Sequence, residues 1–205
     1  MPDHRALYDR IAQGYARMWD DTTVPAGLGP FTGAVGTGVV LDAGCGPGRD
    51  LAAFARAGAQ AVGVDASAGM VTLARSRGLT ACVGDLGRLP FRDGTFGGVW
   101  AAASLVHLDD DEAGAALAEL RRVTVDGGVA RVTVKAEGPG RVGSGEEPVG
   151  DGGEVRWFRW WDAGDFAQLA RSARWQVRDV GYEDDGVREG LRWVVADLVR
   201  APEGR

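Results

Sequence analysis

Between Val39 and Val134 short apolar runs alternate with stretches of helical spacing, and this alternation restricts the possible folds more than any other feature of the chain. Val39-Val40-Leu41 reads as a strand, Gly44 to Gly48 as a turn, and the segment carrying Leu51, Phe54 and Ala55 as a helix. A second strand is expected over Ala61 to Asp65, a helix through Met70, Leu73 and Ala74, and a third strand over Thr80 to Gly84. A fourth apolar run, Gly98 to Leu105, leads to a helix opened by Asp109, Asp110, Asp111 and Glu112, whose carboxylates suit the positive end of the helix dipole. Ala113, Ala116, Leu117, Leu120 and Val123 form its inward stripe, and Val129, Val132 and Val134 belong to a fifth strand after the Gly127-Gly128 turn. Strands joined through helices pair in parallel and need helical cover on both faces, so the expected fold class is α/β with a doubly wound sheet.

After Lys135 the order changes. Glu137 to Glu154 holds seven glycines and two prolines with little apolar content, which predicts a flexible loop over 136–154. Val155 to Trp161 follows, then a helix capped by Asp162 with Phe166, Leu169 and Ala170 inward. Two strands near Trp175 to Tyr182 and Leu191 to Val199 come without a helix between them, which predicts a terminal antiparallel hairpin on a mostly parallel sheet. At the other end Leu7, Ile11, Tyr15 and Met18 recur at helical spacing from Asp3 to about Trp19, and Thr22 to Gly38, with Pro25, Pro30 and several glycines, reads as a linker. The 205 residues suit one domain with a single core, 1–205.

Charge and composition exclude several classes of partner. A net charge of −6 repels phosphate backbones and acidic membrane surfaces, so neither nucleic acid nor membrane is expected. Met1-Pro2-Asp3-His4-Arg5 opens no secretory signal, and no apolar segment is long enough to span a bilayer, which points to the cytoplasm. Cys45 and Cys82 lack metal-ligand spacing and read as unpaired thiols, and no metal site is expected.

Gly44, Gly46 and Gly48 follow an apolar strand and open a helix, where backbone must approach a ligand without obstruction by side chains. Asp65 ends the second strand seventeen residues past Gly48, and Asp85 ends the third. Asp42, Asp65 and Asp85 therefore line the carboxyl edge of consecutive strands, where open sheets of this kind bind ligands. A carboxylate there can accept both hydroxyls of a ribose. A dinucleotide would account for the glycines and Asp65, but its pyrophosphate wants a free helix N-terminus, and Asp42 is a poor neighbour for phosphate. The same carboxylate is a good neighbour for an ammonium or sulfonium, so the charges favour a nucleoside that carries a cation.

At Val39 to Asp50, Val62 to Ser67, Gly84-Asp85 through Phe91, Phe96 to Leu108 and the Gly127-Gly128 turn, the chain resembles the class I S-adenosylmethionine-dependent methyltransferases. The resemblance runs from about Leu7 to the end. It implies a seven-stranded Rossmann-like sheet with the last strand antiparallel, and S-adenosylmethionine as cofactor with S-adenosylhomocysteine as product. By similarity Gly44, Gly46 and Gly48 pass beneath the methionine portion, and Asp42 lies near its ammonium. Asp65, with Ala66 beside it, takes the ribose hydroxyls, Asp85 the adenine amine, and the Leu86 amide lies beside the ring. A carbonyl of the fourth strand, at Ala101 or Ala102, meets the ammonium. Tyr8-Asp9 and Tyr15 look like the amino-terminal helix that covers the cofactor in many relatives, which assigns 1–36 to a covering helix and linker; the two tyrosines read equally as a packing stripe of that helix.

Residues for the acceptor have two readings each. His107, just past the fourth strand, is either a general base or a hydrogen bonder at the helix entry. Trp157, Phe158, Trp160 and Trp161 either wall a planar acceptor or finish the core, with one or two expected to face the site. Arg159 either holds an acceptor carboxylate or lies in solvent. Lys135, Glu146 and Glu147 are weaker candidates. Ala101-Ala102-Ala103-Ser104 lacks the Asn/Asp-Pro-Pro-aromatic segment of enzymes that methylate flipped bases, which favours a small-molecule acceptor. Two rival functions share the cofactor edge: a binder of S-adenosylmethionine that transfers no methyl, as sensor or rearrangement catalyst, and a nicotinamide-dependent oxidoreductase. Oligomeric state leaves no mark in the sequence.

Overall fold

The computed structural model of the chain describes residues 4–17, 24–149, 154–185 and 190–202. Its central strands are β1 (Val40–Ala43), β2 (Ala61–Asp65), β3 (Ala81–Val83), β4 (Phe96–Ala102) and β5 (Thr124–Lys135). Helices α1 (His4–Arg17), α2 (Leu28–Val35), α3 (Arg49–Arg56), α4 (Ala68–Ser76) and α5 (Asp110–Val123) precede and connect them. Strands β6 (Ser144–Val149) and β7 (Glu154–Arg159), helix α6 (Ala163–Ser172), and strands β8 (Gln176–Asp184) and β9 (Arg192–Val199) complete the order. Seven strands make one sheet, β3-β2-β1-β4-β5-β9-β8, in which β9 alone runs against its neighbours. The predicted doubly wound sheet and terminal antiparallel hairpin are both present.

Residue alternation explains why both faces are covered. Leu41 and Ala43 point toward a core built with Ala113, Leu117 and Leu120 of α5 and Phe166 of α6. Val40 and Trp100 point the other way, onto Leu28 and Phe31 of α2 and Phe54 of α3. All four residues of β1 are buried, as a central parallel strand requires. β1 sends its crossover toward β2, while β4 lies on its other side, so the switch in strand order falls between β1 and β4 at their carboxyl ends.

Caps set where the chain enters its helices. The Asp109 carboxylate accepts the Glu112 amide at 2.9 Å while Glu112 accepts the Asp109 amide at 3.1 Å, a reciprocal capping box that starts α5 at the predicted acidic run. Ser67 caps α4 and Asp162 caps α6.

Two expectations are corrected, and a third falls partly outside the described residues. Thr22 to Gly38, read as linker, contains α2, because Leu28 and Phe31 find an apolar surface of Phe54 and Trp100 that no local pattern announces. Within the expected flexible loop, 144–149 forms β6, paired residue by residue with β7 from Ser144↔Arg159 to Val149↔Glu154. Glycine and proline content signalled irregular chain, but backbone pairing to an apolar partner strand overrides that propensity. The helix expected to reach Trp19 is seen to Arg17; Met18 and Trp19 lie outside the described residues. The β6–β7 hairpin is tied to the main sheet's outlet. The Arg159 amide donates to the Val106 carbonyl at 2.9 Å, and the Trp161 amide to the Lys135 carbonyl at 2.8 Å.

Candidate functional site

The turn after β1 is built from three residues in the left-handed region, Gly44 (φ 78°), Gly46 (φ 52°) and Gly48 (φ 90°). They differ in what a side chain would meet. A Cβ on Gly44 would sit 2.2 Å from the Ser104 Cβ, and one on Gly48 would sit 2.4 Å from the Leu79 Cδ1. A Cβ on Gly46 would enter open space. Two glycines thus serve close packing of the turn, and the third keeps clear the surface over which a ligand can lie.

Asp65 braces this turn. Its Oδ2 accepts the Gly46 amide at 2.8 Å and its Oδ1 accepts the Ser67 amide at 2.9 Å. Each oxygen retains a lone pair, so two hydroxyls can still be accepted. Burial raises the Asp65 carboxyl above its ordinary range, against the lowering effect of those two amides. Asp85, at the outlet of β3, is exposed; its carboxylate accepts the Gly87 amide at 2.8 Å and lies 3.3 Å from the Arg5 guanidinium on α1. Leu86 beside it is half-buried against the core, and Ala66 lies between Asp65 and the Ser67 cap.

Asp42 is the electrostatic anomaly. It is 2% exposed, and its Oδ2 has no hydrogen-bond partner among the described residues. Burial pushes its carboxyl well above the usual value, and the Asp50 and Asp65 charges add to this, with Arg49 and the Leu51 amide opposing. Asp50 differs because it is satisfied: the Trp100 indole donates to it at 2.8 Å and Arg49 at 2.6 Å. A buried carboxylate without a partner is costly, and a cation placed against Oδ2 would remove the cost. On the neighbouring strand, β4 carries buried Ala101 and ends at Ala102, and Ala103 follows at φ 54°, held by its amide to the carbonyl and hydroxyl of Thr133. The next residue, Ser104, packs on Gly44 with a buried hydroxyl that has no partner.

Helix α1 closes over this edge. Asp9 accepts the Ser67 hydroxyl at 2.6 Å and the Gly69 amide at 2.8 Å, which holds its carboxyl below the usual range. From the residue before it, the Tyr8 hydroxyl lies 2.8 Å from His107 Nε2. His107 Nδ1 lies 2.7 Å from the Trp157 carbonyl, which only accepts, so Nδ1 carries the proton and Nε2 accepts from Tyr8. Burial lowers the imidazole to about 3, outweighing the Trp157 contact, and the His4, Arg156 and Lys135 charges act in the same direction. His107 is therefore neutral throughout the physiological range. Arg156 Nη1 donates to the Tyr8 hydroxyl at 3.2 Å, and its guanidinium lies 4.9 Å from the Tyr8 ring and 5.7 Å from that of Tyr15. Lys135 sits 3.4 Å over the Phe158 ring and 2.5 Å from Glu147.

Along β7 the alternation decides which side chains turn inward. Arg156, Phe158 and Trp160 are buried, whereas Trp157 and Arg159 lie on the other face. Arg159 pairs with Asp110 at 2.7 Å and stacks 4.1 Å from the Trp161 ring, so the cation brought to His107 and Tyr8 is Arg156. Trp157 meets His107 through its backbone carbonyl, and Trp160 packs with Val106 and Phe158. Arg156, Asp50 and Ser104 escaped sequence reasoning. The two-residue period could not have singled out Arg156, because arginine and aromatic residues stand at both parities of β7. Cys45 and Cys82 are free thiols, and Cys45 is buried under the turn. Among the described residues no group of acids, histidines or cysteines is arranged for a metal, and no helix is long and apolar enough to cross a membrane.

Comparison with known proteins bears on the same region. The family model described as a methyltransferase domain matches residues 40–128, the span that contains the glycine turn, Asp42, Asp65 and Asp85. Demethylmenaquinone methyltransferase of Thermobifida fusca (strain YX) is 34% identical over 144 residues, covering 62% of this chain and 58% of that protein. The chain spans about half the length of the curated relatives it matches. In fold it is similar to the crystal structure of a SAM-dependent methyltransferase from Methanosarcina mazei, with a TM-score of 0.74 and 19% identity, covering 81% of this chain and 93% of that one. It is equally similar to Burkholderia thailandensis 1,6-didemethyltoxoflavin-N1-methyltransferase with bound 1,6-didemethyltoxoflavin and S-adenosylhomocysteine. That match has a TM-score of 0.74 and 20% identity, covering 97% and 87% of the respective chains.

Proposed function

We propose that the chain, whose residues 40–128 match a methyltransferase-domain family model, is a class I S-adenosylmethionine-dependent methyltransferase that moves a methyl group from S-adenosylmethionine to a small-molecule acceptor. The observation that carries this proposal is the buried Asp42, whose unpartnered Oδ2 lies at the end of β1 where the glycine turn opens over Gly46. A neutral or anionic ligand would leave that carboxylate uncompensated. The ammonium of an amino-acid nucleoside compensates it. Asp65 keeps lone pairs for the ribose hydroxyls, and Asp85 with Leu86 borders the next strand outlet, where adenine fits. The chemistry supplied by S-adenosylmethionine when bound is an electrophilic methyl on a sulfonium.

The protein's own share is then alignment and exclusion of water. Alignment alone can supply roughly 7–11 kcal/mol of barrier reduction. Helix α1, pinned by Asp9 to the α4 cap and by Tyr8 to His107, covers the edge. With its pKa near 3, His107 serves by fixing the Tyr8 hydroxyl rather than by taking a substrate proton. A small acceptor is supported by the name of the relatives, which specifies demethylmenaquinone. Calorimetry of S-adenosylhomocysteine against NAD tests the cofactor, with heat expected for the former alone. Incubation with methyl-labelled cofactor and a metabolite extract tests transfer. Absence of S-adenosylhomocysteine binding, or binding without a labelled product, would overturn the respective half of the proposal.

A further inference from the structure

Arg156 is a buried cation that pairs with no carboxylate among the described residues. It is 7% exposed, its Nε has no hydrogen-bond partner, and among the described residues its guanidinium contacts only Tyr8 and Tyr15. The acid opposite it in the hairpin register, Glu147, is occupied by Lys135 and Arg141. Burying a guanidinium without a counter-ion is unfavourable. The charge is retained where an anion arrives with the ligand.

The neighbours of Arg156 separate that anion from the cofactor. The guanidinium that acts on Asp42 belongs to Arg49, at the start of α3, whereas Arg156 acts on Tyr8 and His107. His107 also feels Lys135, so two cations from β5 and β7 converge beyond the outlet of β4. Rings surround the spot: His107 lies 4.7 Å from Phe158 and 5.6 Å from Tyr8, and Tyr8 meets Tyr15 edge-on at 5.7 Å. We propose that the acceptor is a planar aromatic acid whose carboxylate is held by Arg156 and the Tyr8 hydroxyl. A guanidinium can grip both oxygens of such a group, and a Tyr hydroxyl that now donates to His107 can turn to it. This rests on the methyl-transfer proposal, since an acceptor is meaningful only with it.

The test titrates the intact chain, saturated with S-adenosylhomocysteine, with salicylate and 2-naphthoate, each against its primary amide. Wild type is expected to bind an acid at least tenfold more tightly than the matching amide. Arg156→Met should abolish that preference and Arg156→Lys should reduce it at least threefold, with S-adenosylhomocysteine affinity within twofold of wild type in both. The lysine variant decides alone if the methionine variant does not fold. An unchanged preference in the variants, or no acid binding by the loaded wild type, overturns the proposal. So does a loss of S-adenosylhomocysteine affinity that 5′-methylthioadenosine, which lacks the carboxylate, does not share, because the guanidinium would then serve the cofactor. Failure of wild type to bind S-adenosylhomocysteine at all would instead sink the methyl-transfer proposal.

Discussion

Replacing Asp42 by asparagine should stabilise the ligand-free protein and weaken its hold on the cofactor. Asparagine has nearly the same shape and keeps a carbonyl oxygen for the Leu51 amide, but carries no charge into a site where Oδ2 has no partner. Nδ2 remains unsatisfied where Oδ2 was, but exchanging an uncompensated buried charge for a neutral group is worth about 1–3 kcal/mol. For a chain of this size that corresponds to a rise in Tm of about 2–12 °C, at about 2–4 °C per kcal/mol. The sign of the pH dependence follows from linkage. A carboxyl whose pKa is higher in the folded state than the ordinary 3.8 binds more protons folded than unfolded over that interval, so its contribution to stability falls as pH rises through it. The variant lacks this loss, and its Tm advantage should be smallest at pH 5 and widen toward pH 8. Ligand works against that order and narrows the gap. At a hundredfold excess of S-adenosylhomocysteine over its Kd the wild type gains about 2.7 kcal/mol. The variant, without a charged contact of about 1.5–3 kcal/mol, should bind about 10- to 150-fold more weakly. Scanning calorimetry from pH 5 to 8, with and without S-adenosylhomocysteine, reads both effects. A variant that melts below wild type when ligand-free, or binds S-adenosylhomocysteine equally well, refutes an unpaired carboxylate kept for a cation.

Other substitutions separate binding from folding. Asp65→Asn should cost roughly 2–4 kcal/mol of S-adenosylhomocysteine affinity by calorimetry, since it removes a charged bidentate acceptor; equal affinity would move the ribose elsewhere. Gly46→Ala should lower affinity while costing only about 1–2 kcal/mol of stability from its positive φ, because no atom crowds its Cβ. Gly44→Ala should lose more stability in urea unfolding, since Ser104 blocks the new methyl; equal losses in the two would contradict the division between ligand surface and packing. His107, held near 3 by burial, refuses a proton that the unfolded chain takes up below about 6.5. Stability should therefore fall as pH drops from 6.5 toward 3, at up to about 1.4 kcal/mol per pH unit, and His107→Gln should flatten that slope. Parallel slopes in variant and wild type would count against the buried neutral imidazole.

Much of the candidate cofactor edge, as a piece of structure, was legible in the sequence. Gly44, Gly46 and Gly48 declare a left-handed turn because other residues pay strain there, and an apolar strand before it makes Asp42 its last-but-one residue wherever the sheet lies. Asp65 and Asp85 follow from the same counting of strand ends. The acceptor side was not legible in this way. Val155 to Trp161 carries arginine and aromatic residues at both parities, so the two-residue period of a strand leaves open whether Arg156 or Arg159 turns inward.

The chain's own order of residues determined its α/β class, the glycine turn and the row of acids, because turn dihedrals and strand periodicity act between near neighbours. Tertiary structure alone decided that 144–149 pairs as a strand, that Asp110 claims Arg159, and that Tyr8, His107 and Arg156 meet from three distant segments. It also decided that His107 loses its basicity and that Asp42 goes without a partner. Desolvation and through-space charge create those properties, and both depend on what surrounds a residue in three dimensions rather than on what adjoins it along the chain.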